Sequence, residues 1–387
     1  MIYVDYAAAT PVREEVFNKM KPFFSEYFGN SSSIYEFGQV ARRALDKARF
    51  QVSDALGCSP QEVFFTSGGT ESNNLAIQGV VEKYKNYGKH IVTTKIEHVS
   101  ILSVCEKLEQ DGCRITYLEP DNEGVIRPEQ VQNALQEDTI LVSVIHGNNE
   151  IGTMQDIQKM GEIVSQYRGD HQRKYPVFHS DICQTIGFFN MNAQMYNLDL
   201  ATINSGKIYG PKGAGALYVK KGVQLSPRMY GGGQEKKIRA GTENIPAVVG
   251  FGEAVEWVQR EREQYSRHCE DLRDFCIAEI EKRVSGCQLN GHRTDRLPNN
   301  IHLSFEGIEG ETLLVNLDQE GVCASTGSAC TSENINPSHV LLAIGVSYEL
   351  THGSLRLTLG RMTTKEDVEY IVDKLVSVIQ KMRSETA

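Results

Sequence analysis

Lys207 lies in Asn204-Ser-Gly-Lys-Ile-Tyr-Gly-Pro-Lys-Gly213, between two β-prone runs, Leu200-Ala-Thr-Ile203 and Gly215-Ala-Leu-Tyr-Val219. A loop held between sheet strands can bury a lysine, deprotonate it and present it as an amine nucleophile. A solvated structural lysine fits the same stretch, so the chemistry depends on what else joins it. A second signal is Thr66-Ser-Gly-Gly-Thr-Glu-Ser-Asn-Asn74, which follows Val63-Phe-Phe65 and opens into a helix with Leu75 and Ala76. Glycines let backbone approach an anion, and unpaired N–H groups at a helix start favour phosphate. A capped helix with no ligand reads alike. Polar residues also fall where strands should end: His98 after Thr94, Asn148 and Asn149 after Ile145, Asp181 and Gln184 after Val177-Phe178. Arg356 sits between Leu355 and Leu357, which suggests a half-buried strand. Cys330 lies in the polar run Ser328 to Pro337, which reads as a loop, where a thiol that must swing between two partners belongs.

The elements that would position these residues alternate. Ile91–Thr94, Ile115–Leu118 and Ile140–Ile145 read as strands, with helices from about Val99 and near Pro128–Leu135 between them. Earlier, Ala41, Ala44, Leu45, Ala48, Val52, Ala55 and Leu56 recur at helical spacing, with Gly57 placed to cap. Strand, helix, strand repetition predicts a mainly parallel sheet flanked by helices, an α/β fold whose ligands collect at the carboxyl ends of its strands. Beyond about Gly250 the pattern changes to a long charged helix, about Glu253 to Arg283, then short strands and a final amphipathic helix from about Thr364. The predicted division is a large domain over 15–252 and a smaller α+β domain built from 1–14 with 253–387.

Composition narrows the classes. Forty Lys and Arg against 50 Asp and Glu give a formal charge of −10 with no long basic block, so a nucleic-acid surface is not expected. No apolar run approaches bilayer length and the first residues lack signal-peptide features, which predicts a soluble, cytoplasmic protein away from membranes. Nine cysteines without a Cys-x-x-Cys pair disfavour structural zinc and a disulfide framework, and no metal site is expected. Most read as small buried hydrophobes.

A loop lysine, a phosphate-type turn, an acid on a strand end, a histidine after another strand and a late arginine together make the set that pyridoxal 5'-phosphate needs. Its aldehyde takes a lysine, its ring nitrogen an acidic partner and its phosphate an anion nest. The chain also resembles the cysteine desulfurases of the NifS/IscS type, within the class V aminotransferases of pyridoxal-phosphate fold type I. The resemblance runs almost end to end: Tyr3 to Pro11, Phe65 to Ala76, Glu97-His98, Asn148 to Gly152, Asp181 to Gln184, Lys207 to Gly213, Arg239 to Thr242, Ser325 to Ser332 and Arg356 to Arg361.

That resemblance implies roles. Lys207 would form the Schiff base, Asp181 pair with the ring nitrogen, Gln184 bond the ring hydroxyl with Asn149 beside it, and His98 stack on the ring and move protons. Gly69 and Thr70 would bind phosphate, Thr242 would reach the cofactor of a second subunit, and a homodimer is therefore expected. Arg356 would clamp the carboxylate of L-cysteine. Cys330 would take its sulfur as a persulfide, releasing alanine and passing the sulfur to an acceptor protein for iron–sulfur clusters or tRNA thiolation. A lyase acting on selenocysteine or cystine, and an inactive scaffold, are the alternatives.

One departure stands out. The family pattern is Ser-x-His-Lys, whereas here Asn204, Ser205 and Gly206 precede Lys207. Loss of one charge-assisted hydrogen bond costs about 1.5–3 kcal/mol, so weaker cofactor binding is expected, with Ser205 or the Gly206 N–H as partial replacements and Asn204 still able to donate. Ser31 and Tyr35 also stand where the family often has proline and histidine.

Overall fold

The computed structural model describes residues 1–326 and 337–386. Its strands are β1 (Ile2–Tyr3), β2 (Val63–Thr66), β3 (His90–Thr94), β4 (Arg114–Leu118), β5 (Thr139–Ser143), β6 (Val177–Asp181), β7 (Leu200–Asn204), β8 (Gly215–Val219), β9 (Cys287–Leu289), β10 (Asn300–Phe305), β11 (Val322–Cys323) and β12 (Ser354–Thr358). Seven form one sheet in the order β2-β8-β7-β6-β5-β3-β4. β4, β3, β5, β6 and β7 run parallel, and β8 is antiparallel to both β7 and β2. The central strands are buried along their whole length, and they carry apolar runs because helices cover both faces.

The α/β class and the mainly parallel sheet agree with expectation. The reversal at β8 follows from the short connection after Lys207, since a parallel return would need a crossover of a dozen residues or more. The long helix starts at Ile245 rather than near Glu253 and ends at Arg283. Asn244 caps it by accepting the Ala247 N–H at 3.3 Å, and Pro246 occupies its first turn, where a missing N–H is no loss. β12, β10 and β9 make an antiparallel sheet, and β1 pairs with β11, so the first residues of the chain lie against residues from its last third. No described helix is long and apolar enough to cross a membrane.

The Glu36–Ala55 and Ile245–Arg283 helices pack closely at Gly252, where an added Cβ would stand 2.7 Å from Ala48 Cα. Alanine favours a helix interior over glycine by about 1 kcal/mol, but overpacking against backbone costs about 1–3 kcal/mol. Gly252→Ala is therefore expected to lower the urea midpoint with an unchanged slope. A midpoint equal to or above wild type would show that the two helices have room to part.

Candidate active site

Lys207 ends a single turn, Ser205–Lys207, that follows β7 directly. Its Nζ donates to the carbonyls of Ala7 and Ala8 at 2.6 and 2.7 Å, and Gln184 Nε2 donates to the same Ala7 carbonyl at 3.1 Å. Thr10 grips the turn from the other side. Its hydroxyl donates to the Gly206 carbonyl at 3.1 Å and accepts the Tyr209 N–H at 2.7 Å. Tyr209 has φ +64°, an uncommon state for a residue with a side chain, and the Thr10 contact helps to hold it there.

Asp181, the last residue of β6, is buried and its carboxylate is held by two donors. The Cys183 N–H reaches Oδ1 at 2.9 Å and Asn73 Nδ2 reaches Oδ2 at 2.8 Å. The same Asn73 amide nitrogen donates to Ser100 Oγ at 2.8 Å, which in turn lies 2.8 Å from His98 Nδ1. The Ser100 N–H also donates to Nδ1 at 3.1 Å, so the hydrogen of the neutral imidazole sits on Nε2. Burial lowers the His98 pKa; the Asp181 charge opposes this, and Lys207 and His339 reinforce it. These mutual effects place His98, Asp181 and Lys207 in one electrostatic unit at the carboxyl ends of β3, β6 and β7.

Arg356 is almost fully buried, not half-buried as its neighbours suggested, because β12 pairs with β10 on one side and Ser325 bridges it on the other. Nη2 meets Asp5 Oδ1 at 2.8 Å and Nη1 donates to the Asn149 carbonyl at 3.0 Å. Nε has no hydrogen-bond partner among the described residues. A cavity of about 280 Å³ joins Ser67–Glu71 to Ala8, Ala9, Asn204, Gly206, Lys207, Lys212 and Gly213. Gly68 begins this wall at φ +152°, which a side chain would strain, and the first turn of the Gly69–Tyr84 helix supplies N–H groups that the helix itself does not use.

The fold thus gathers Lys207, Gly69, Thr70, Asn204 and Gly206 around this cavity, with Asp181, His98 and Gln184 beside them. Ser205 is brought nearby but is turned away: its buried hydroxyl has no partner among the described residues, and an added Cβ on Gly210 would strike it. The Gly206 N–H is likewise committed, donating to Asn204 Oδ1 at 3.1 Å. Neither of the two expected replacements for the family histidine is therefore available, because the turn consumes one and buries the other. Thr242 is exposed and lines no part of this cavity. Cys330 lies outside the described residues. All eight described cysteines have thiols pushed up by burial, Cys183 well above its usual value and Cys58, Cys105, Cys269, Cys276 and Cys287 to about 12, which leaves them weak nucleophiles. Thr10, Asn73 and Asp5 were missed as participants, although each lies inside a stretch that carries the resemblance.

The sequence pattern of Aminotransferase class-V matches residues 2–371. The chain belongs to this family. Within the class V family it is 49% identical over 383 residues to a protein named cysteine desulfurase IscS from Dictyoglomus turgidum, covering 99% of this chain and 95% of that one. A solved structure titled NIFS-LIKE PROTEIN superposes with a TM-score of 0.91 at 33% identity, covering 98% of this chain and 99% of the other. Another, titled SspA in complex with cysteine, gives 0.82 at 34% identity, over 94% of this chain and all of that one.

The residues fit pyridoxal phosphate. A class V site needs an amine, a buried carboxylate, a flat neutral ring and an anion nest, and the described residues supply Lys207, Asp181, His98 and the first turn of the Gly69–Tyr84 helix.

Beside His98, the fully buried Glu97 accepts the Ile145 N–H at 2.8 Å and the Thr94 hydroxyl at 2.9 Å, while Oε2 has no partner among the described residues. Burial pushes its pKa up to about 8. Its unfolded value is about 4.3, so the folded state binds the extra proton between these limits. That stabilisation is complete below the unfolded value and is lost as pH rises through about 8. Glu97→Gln keeps the shape without the titration, so its melting temperature should gain on wild type as pH rises from about 5 to about 8. A difference independent of pH would mean that Glu97 is ionised throughout.

Proposed function

We propose that this chain is a pyridoxal-phosphate-dependent cysteine desulfurase that takes sulfur from L-cysteine, leaves it as a persulfide on Cys330 and releases L-alanine. The observation that carries this reading is the convergence of Lys207, Asp181 and His98 beside a cavity walled by a helix start. Relatives named cysteine desulfurase, and a similar structure named as a complex with cysteine, support the substrate.

When bound, pyridoxal phosphate supplies an aldehyde for an amine and a ring that accepts electrons from the substrate Cα. Lys207 is the amine that would hold it, and its Nζ, when free, would take the Cα proton. Asp181 would keep a proton on the ring nitrogen, and the Asn73 and Cys183 donors fix the carboxylate for that task. His98 would lie against the ring as a neutral imidazole, while Gln184 and Asn149 would meet the ring oxygen. Asn204, Gly69 and Thr70 would face the phosphate. Arg356 would orient the substrate carboxylate, its guanidinium fixed in place by Asp5.

The thiolate of Cys330 would attack the substrate sulfur. A sulfur–sulfur bond forms as the carbon–sulfur bond breaks, the carbon skeleton takes up the electron pair and a proton, and alanine leaves. The terminal sulfur then passes to an acceptor protein, for iron–sulfur cluster assembly or tRNA thiolation. The working form is a cytoplasmic homodimer in which Thr242 reaches the partner subunit's cofactor.

With L-cysteine and a reductant, wild type should yield sulfide and alanine in equal amounts. Lys207→Ala and Cys330→Ala should each lower the rate at least about a hundredfold. Full activity in Cys330→Ala would overturn the persulfide step, and full activity in Lys207→Ala would overturn the cofactor reading.

A further inference from the structure

We propose that Lys212 supplies the positive charge facing the cofactor's phosphate, in the space that Gly206 leaves open; the assignment rests on the cofactor reading above. Among the described residues, three charged ones line the cavity, Glu71, Lys207 and Lys212. Glu71 is engaged: its carboxylate accepts Arg239 Nε and the Ser67 N–H, both at 2.7 Å. Lys207 is directed at the Ala7 and Ala8 carbonyls and is the amine for the aldehyde. Lys212 makes no ion pair or side-chain hydrogen bond with another described residue, although it stands in the same wall as the first turn of the Gly69–Tyr84 helix.

The position of Gly206 explains why a lysine from this side can serve. A Cβ built there would lie 3.7 Å from both Lys212 Cγ and Asn204 Oδ1, at ordinary contact distance. The direction in which a histidine would extend from residue 206 is thus bordered by the Lys212 stem, and with glycine present the stem is free to bend into it. Nearer replacements are excluded, because the Gly206 N–H is bonded to Asn204 and the Ser205 hydroxyl faces Gly210. The Asn204 amide nitrogen, close to where a Cβ on Gly69 would lie, adds a neutral donor. A phosphate monoester carries between about −1.5 and −2 charges at neutral pH, and the Arg239 guanidinium on this side is already committed to Glu71. An ammonium acting as a point charge answers the phosphate. Because Lys212 is exposed, solvent screens it and the effect is moderate rather than decisive.

The test compares pyridoxal 5'-phosphate with pyridoxal, which lacks the phosphate, by equilibrium binding to the full chain after cofactor removal. Lys212→Ala should weaken binding of the phosphorylated form about tenfold and leave pyridoxal within about twofold. Lys212→Arg should retain most of the affinity, and Gly206→His should restore it in the Lys212→Ala background. An unchanged ratio of the two affinities in Lys212→Ala, or an equal loss for both ligands, overturns the assignment. Wild type that binds neither ligand overturns the cofactor reading itself, an outcome read without any variant.

Discussion

The segment from Tyr3 to Thr10 is the constraint on which the site depends. β1 is paired to β11, Asp5 is bonded to Arg356, the Ala7 N–H donates to Thr358 Oγ1 at 2.9 Å, and the Ala7 and Ala8 carbonyls hold Lys207 while Thr10 grips the turn around it. One short stretch of backbone therefore joins the β12 end of the smaller sheet, which carries the proposed carboxylate clamp, to the β7 end of the large sheet, which carries the amine. Side chains that must meet one small substrate are fixed relative to each other by hydrogen bonds rather than by the length of chain between them. Displacing this strap would loosen Lys207 and Arg356 together, as expected where positioning dominates catalysis.

Burial does the second half of the work. It keeps His98 neutral and Glu97 protonated near neutral pH, and it holds the described thiols in their unreactive form. The buried carboxylate of Asp181 accepts from two donors, the Cys183 N–H just past its own strand and Asn73 on the Gly69–Tyr84 helix. Asn73 also reaches Ser100 and through it His98, so the groups assigned to the ring nitrogen and to the ring face share one hydrogen-bond chain. Such a chain resists rotation of any one member without the others.

The large sheet was legible because its strands are short β-branched runs separated by helical periodicity, and burial on both faces leaves that signal undiluted. The antiparallel turn into β8 and the earlier start of the long helix at Ile245 were not, since the first depends on connection geometry and the second on a cap at Asn244. At the site, Lys207, Asp181 and His98 stood out as candidates because they fall at strand ends or beside a glycine turn, and their roles came from the family resemblance. Thr10 and Asp5 act on residues some 200 and 350 positions away, and no local pattern encodes such a contact. The direction of the Ser205 hydroxyl was equally invisible, because it is set by the close approach of Gly210.

The central claim is that sulfur leaves L-cysteine onto one thiol of this chain. Peptide mass spectrometry of the holoenzyme after brief exposure to L-cysteine, without reductant, tests it most directly. The account predicts a gain of one sulfur atom on the peptide containing Cys330, removed by reductant and absent from Lys207→Ala. Sulfur found instead on Cys323, or alanine released with no sulfur retained on any cysteine, would contradict it.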